Sequence, residues 1–143
     1  MSQVWRISEA SSIAFHATTM LAALPDRMFT TKQIASTLGV SDHHLSKVLQ
    51  RLAKAGLVKA TRGPKGGFEL ERPADEITLL EVYEAIEGPL EDVGCLLGKP
   101  VCRPGACILG DLLESVNKQV RDYLENARLS ELTGAYEGIE DKL

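Results

Sequence analysis

Apolar residues recur at helical spacing in five stretches of this chain and form two short strand-like runs. Ile7, Ala10, Ile13, Ala14, Ala17, Met20, Leu21 and Leu24 make one stripe, predicting an amphipathic helix over 6–24 that Pro25 and Asp26 close. Thr30 with Gln33 three residues on is a capping box. It opens a short helix whose inward face is Ile34, Ala35 and Leu38 and which Gly39 ends. Ser41 caps a further helix running to Ala55, with Leu45, Val48, Leu49 and Leu52 inward and Gly56 as terminator. The opposite face carries His43, His44, Lys47, Gln50, Arg51 and Lys54. Two short helices joined by a tight Gly-containing link, the second one basic on its free face, predict a helix-turn-helix.

Leu57 to Thr61 and Phe68 to Glu71 predict two short strands around Arg62-Gly63-Pro64-Lys65-Gly66-Gly67. Such a hairpin after a helix-turn-helix is a wing. Arg62 and Lys65 supply positive charge at its tip, and Gly66 and Gly67 are expected to let the backbone approach a phosphate or groove wall. A nucleotide-binding loop is not expected, because its glycines would lead through Gly-Lys-Ser/Thr into a helix rather than into Phe68 and a strand. The expected DNA contacts are Thr31, Lys32, Ser41, His43, His44, Lys47, Arg51, Arg62, Lys65, Gly66 and Gly67.

Pro73 divides the chain into a DNA-binding part, 1–72, and a second part, 73–143. Thr78 with Glu81 is a second capping box, with Ile77 and Val82 at the positions of a hydrophobic staple. Leu79, Val82, Tyr83 and Ile86 are that helix's stripe, and Gly88-Pro89 stops it. A long helix is expected over 108–129, where Leu109, Leu113, Val116, Val120, Tyr123 and Ala127 keep heptad spacing. Such a seam must pack on a partner helix, in this chain or in a second one. Residues 131–143 show little pattern and are expected to fray. The fold class is therefore mainly α with a small β-wing: a winged helix-turn-helix followed by a long helix suited to dimerisation.

Charge is segregated within a net of −4. Residues 26–72 carry nine Lys/Arg against four Asp/Glu, whereas 73–143 carry six against fifteen. A basic middle suits a polyanion and an acidic second part stays off it. All three cysteines, Cys95, Cys102 and Cys107, fall within thirteen residues that Gly98, Pro100, Pro104 and Gly105 keep out of regular structure. Scattered core cysteines have no reason to crowd in this way, so the loop points to a metal centre or a thiol switch. Three cysteines do not make a secreted disulfide framework, and neither a signal core nor a membrane-length apolar run is present. A cytoplasmic setting is expected. The serine–histidine neighbours Ser41/His44 and Ser12/His16 have no acidic orienter, so an enzyme with a small-molecule substrate is not expected.

Ser41-Asp42-His43-His44-Leu45-Ser46-Lys47-Val48-Leu49, Arg62-Gly63-Pro64-Lys65-Gly66-Gly67-Phe68 and Glu87-Gly88-Pro89 ahead of the cysteines are the most specific segments. With them, the chain from about Trp5 to Leu132 resembles the bacterial winged-helix regulators that include IscR, NsrR, RirA and CymR. The resemblance implies a homodimeric transcription regulator, mostly of the repressor kind, that binds double-stranded operator DNA. Its dimer would form through the long helix at Leu109, Leu113, Val116, Val120 and Tyr123. It implies an iron–sulfur cluster, [2Fe–2S] or [4Fe–4S], on Cys95, Cys102 and Cys107, whose state sets DNA affinity in response to redox state, nitric oxide or iron supply. The IscR branch takes its fourth ligand three residues after the last loop cysteine, and here that position is Gly110. Other branches use the first helix of the opposite subunit, where the matching positions are Ser12 and His16. His16 is the expected ligand, and Glu9, Glu91 and Asp92 are further candidates. The cluster-free branch implies a bare-thiol switch as the alternative, and three thiolates with one histidine would also suit zinc.

Overall fold

The computed structural model describes residues 5–92 and 94–143. Its elements run α1 (Glu9–Ala23), α2 (Thr31–Leu38), α3 (Asp42–Lys54), β1 (Val58–Thr61), β2 (Gly67–Leu70), α4 (Leu79–Glu87), α5 (Leu112–Asn126) and α6 (Leu129–Leu132), with short 3₁₀ turns at Ala74–Glu76, Thr133–Tyr136 and Ile139–Lys142. Local chemistry sets most of the boundaries. Thr30 and Gln33 cap α2 reciprocally, as do Thr78 and Glu81 for α4, and Ser41 Oγ accepts from His44 N–H at the start of α3. Gly39, in the left-handed region at φ +70°, ends α2.

α1 starts at Glu9 rather than three residues earlier. Ser8 takes the cap by accepting from Ser11 N–H, which leaves Ile7 outside the helix and exposed. Ile13, Ala14, Ala17, Met20 and Leu21 of α1 are the centre of the core. Against them pack Ile34 and Ala35 of α2, Leu45, Val48, Leu49 and Leu52 of α3, and Leu79, Val82, Tyr83 and Ile86 of α4. Ile77, Leu124, Leu129 and Ile139 belong to the same cluster, so the two parts drawn at Pro73 share one core.

β1 and β2 pair antiparallel from Val58↔Leu70 to Thr61↔Gly67. A third edge is added by Phe29, whose N–H and carbonyl both bond Phe68, at 3.0 and 2.7 Å. At the base of the hairpin Arg72 donates to Glu81 Oε1 at 2.7 Å and to the Glu76 carbonyl at 2.6 Å. Burial pushes the Glu81 carboxyl upward, but the hydrogen bonds from Arg72 and from Thr78 N–H outweigh it and hold the group below its usual range.

Two expectations for the second part are corrected. The long helix covers Leu112–Asn126, not 108–129. Gly110 at φ +56° puts the preceding residues into turns, and Ala127 is extended so that its carbonyl can accept from Leu79 N–H at 2.9 Å. The C-terminal stretch does not fray. Leu129 and Ile139 are buried, and residues 129–136 pack along α1. Among the described residues, no helix is long and apolar enough to cross a membrane.

Candidate nucleic-acid interface and cysteine loop

The basic face of α3 exists because its apolar stripe is fully used by the core, leaving His43, Lys47, Gln50 and Lys54 exposed. His44 is half-buried, with Nδ1 3.8 Å from the Glu9 carboxylate of α1. Ser41 serves as the α3 cap, Thr31 opens α2 half-buried, and Lys32 beside it is exposed. Arg62 and Lys65 stand exposed at the wing tip. Exposed cations on a recognition helix and an adjoining hairpin form the electrostatic footprint of a duplex-binding head.

Besides the cap Ser41, three further expected DNA residues have structural tasks inside the chain. Gly66 and Gly67 are required by the protein's own backbone: a Cβ on Gly66 would lie 2.0 Å from the Thr61 carbonyl oxygen, and one on Gly67 2.6 Å from that of Phe29. Arg51 sits on α3, but its Nη2 donates at 2.5 Å to the Ile86 carbonyl in the last turn of α4. The capping rule that α4's last carbonyls need external donors accounts for this bond, and sequence spacing does not reveal it.

Between α4 and α5 the described residues form neither helix nor strand. Cys95 is half-buried, and Cys102 and Cys107 are exposed. All three line one cleft of about 320 Å³, with Gly94, Arg103, Gly110 and Asp111 on its walls. They share the cleft without closing on a point: among the described residues, no three His, Cys, Asp or Glu side chains are gathered closely enough to hold a metal ion. His16 lies elsewhere in the chain, in a groove of about 350 Å³ with Glu9, Ser12 and Thr37. Its Nδ1 is 2.7 Å from the hydroxyl of Tyr136, which reaches it from the C-terminal segment. Tyr136 gave no periodic signal in the sequence and was not anticipated there.

The heptad seam of α5 divides between two tasks. Leu113 is buried, as is Leu124 beside the heptad, and Val120 and Ala127 pack against the chain's own core. Leu109 and Val116 are half-buried, whereas Tyr123 is 60% exposed, together with Leu112 at 54% and Ile108 at 84%. Leu112 and Ile108 lie outside the heptad, so the spacing alone did not single them out as the exposed side.

Known proteins share this arrangement. A helix-turn-helix-type transcriptional regulator of Aquifex aeolicus is 29% identical over 138 residues, 94% of this chain and 93% of its own. CymR, the global cysteine regulator of Bacillus subtilis, superposes with a TM-score of 0.78 at 26% identity, covering 92% of this chain and 98% of that one. Staphylococcus aureus CymR in its oxidised form gives 0.74 at 28% identity over 90% and 96%. Residues 7–135 match the Rrf2 family, described as iron-dependent transcriptional regulators. With the winged helix and its basic face, that match over nearly the whole chain makes this protein a DNA-binding transcriptional regulator of the Rrf2 family, and not an enzyme.

Proposed function

We propose that this regulator is a homodimer whose DNA affinity is set by an iron–sulfur cluster held on Cys95, Cys102 and Cys107. The observation that carries the reading is the common cleft of the three thiols, in the loop that joins α4 to α5. Soft sulfur donors outside any disulfide fit such a cluster in chemistry. Their present spacing means that the loop must order itself around the bound group. The cluster would supply an exchangeable, redox-active centre; the chain's own residues convert its presence into loop conformation. Gly94, Gly98 and Gly105 leave the loop backbone free to adopt a second arrangement, and the start of α5 lies directly beyond it.

The dimer is supported by Ile108, just before α5, and by Leu112 and Tyr123 on it, large apolar groups left exposed. Two recognition helices related by a two-fold axis would read half-sites about 34 Å apart, so a small change in their spacing weakens contacts on both sides. His16 remains the proposed fourth ligand, from the opposite subunit. Its bond to Tyr136 orients the ring through Nδ1 and leaves Nε2 as the ligating atom, as metal-binding histidines require.

Visible absorption with iron and sulfide analysis of anaerobically purified protein tests the cluster. Thiolate-to-iron bands that vanish in Cys95→Ala, Cys102→Ala and Cys107→Ala are the expected result, and colourless iron-free protein overturns it. A bare-thiol switch is the second reading, favoured by the exposure of Cys102 and Cys107 and by the likeness to an oxidised CymR.

A further inference from the structure

Two arginines from different helices bond one short piece of backbone. Arg51 of α3 donates to the Ile86 carbonyl at 2.5 Å, and Arg121 of α5 donates to the Leu90 carbonyl at 2.9 Å and approaches Asp92 Oδ1 at 3.3 Å. Between them Glu87 accepts from Ser8, the α1 cap, and from Ser11 of α1, and Leu90 N–H donates to Glu84 at 2.8 Å. Gly88, at φ +82°, is where the chain leaves α4. Asp92 stands three residues before Cys95. The stretch from Ile86 to Asp92 is therefore tied to the recognition helix at one end and to α5 at the other, and it leads straight into the cysteine loop.

We propose that Arg51 is a positioning residue that couples the cysteine loop to the recognition helix, with Arg121 anchoring the far end of the same segment. On α3 Arg51 follows His43 and Lys47 at intervals of four, so its tether lies on the stripe that faces DNA. A charge-assisted bond to a helix-end carbonyl is short and directional, and α4 cannot shift along its axis without moving or losing it. When the loop reorganises around the thiols, the pull arrives at Gly88 and the α4 C-terminus. Arg51 carries it to α3, while Arg121 prevents the segment from absorbing it by sliding over α5. The cost of a changed α3 angle appears in the dimer's fit to two half-sites. This coupling deepens the proposed cluster reading, but the device responds to any modification that reorganises the loop.

The test compares DNA affinity in two states of the full-length protein, on a duplex selected by the wild type from a random-sequence pool. One pair of states is apo protein against protein reconstituted with ferrous iron and sulfide. The other is free thiols against thiols alkylated with iodoacetamide. The wild-type affinity ratio in at least one pair is expected at about 5- to 150-fold. In Arg51→Ala it should fall to about twofold or less, in Arg51→Lys it should be partly restored, and Arg121→Gln should also collapse it. A response to alkylation that Arg51→Ala abolishes upholds the coupling even if no cluster forms, in which case the cluster reading alone fails. A wild-type ratio near unity in both pairs, or a full ratio retained by Arg51→Ala and Arg121→Gln, overturns the proposal.

Discussion

Phe29 and Phe68 exchange both of their backbone hydrogen bonds, so the wing is sewn to the segment that enters the helix-turn-helix. The exchange requires Gly67 beside Phe68, because a Cβ there would meet the Phe29 carbonyl oxygen at 2.6 Å, and Gly66 is closed off in the same way by Thr61. Gly66→Ala and Gly67→Ala should each lower folding stability by about 1–3 kcal/mol, since backbone rather than a flexible side chain must give way. Gly94→Ala meets nothing within 4 Å and should change stability by about 0.5 kcal/mol at most. Denaturant titration of the three variants separates these outcomes; equal stability for all three would mean that the wing does not pack as described.

Arg62 and Lys65 are exposed at the wing tip, and among the described residues neither has an ion pair to give up on binding. Arg62→Ala or Lys65→Ala should weaken duplex binding and reduce the magnitude of the log K against log salt slope by about one. The fold should be untouched. If neither variant alters affinity or slope, the wing does not contact phosphate.

The sequence was legible wherever a residue acts on its own neighbourhood. The capping boxes at Thr30/Gln33 and Thr78/Glu81, the stop at Gly39 and the buried stripe of α3 each follow from contacts within a few residues, and all appear as expected. It was misleading where the outcome depends on distant partners. Ile108 and Leu109 continue the apolar pattern of α5 but sit before Gly110, whose positive φ belongs to the loop. The sparse apolar residues from Leu129 onward show no period, yet Leu129 and Ile139 are buried and Tyr136 reaches His16, because α1 offers them a surface. Arg51 could not be told from Lys47 by spacing, and only the carbonyl of Ile86 distinguishes them.

The division of the α5 seam makes the dimer test specific. Val120 packs against the chain's own core, so a charge there would damage the fold and leave the association ambiguous. Leu112→Glu and Tyr123→Glu place the charge on exposed positions and should convert a dimer to a folded monomer. Sedimentation velocity with circular dichroism checks both properties. Wild-type dimer mass in both variants would remove this face from the interface.

Glu87 links α4 to the start of α1, and hydrogen bonds from Ser8 first and Ser11 second hold its carboxyl below the ordinary glutamate range. The folded value being depressed, the contribution is complete above the unfolded value and disappears as pH falls through the folded one. Stability should therefore drop on acidification below the ordinary carboxylate range, and Glu87→Gln should flatten that limb while changing little of its shape near neutrality. Thermal unfolding across pH 3–7 is the measurement, an interval set around the reference glutamate value of about 4.3. An acid limb identical in the variant would assign the acid sensitivity to other carboxylates.

His16 and Tyr136 give the fourth-ligand proposal a test with two arms. A ligating imidazole is usually held through its other ring nitrogen, and Tyr136 Oη, 2.7 Å from Nδ1, meets that need. His16→Ala should shift the visible spectrum of the reconstituted protein or shorten the lifetime of its cluster, with the dimer retained. Tyr136→Phe keeps the ring and its packing but removes the hydroxyl, so His16 loses orientation rather than its ligating atom. Its cluster should form with a spectrum close to the wild type and decay at an intermediate rate. A purely structural pairing of His16 with Tyr136 would instead lower thermal stability in both variants and leave spectrum and lifetime alone. That result would move the fourth ligand to a carboxylate, with Glu9, Glu91 and Asp92 to be replaced next.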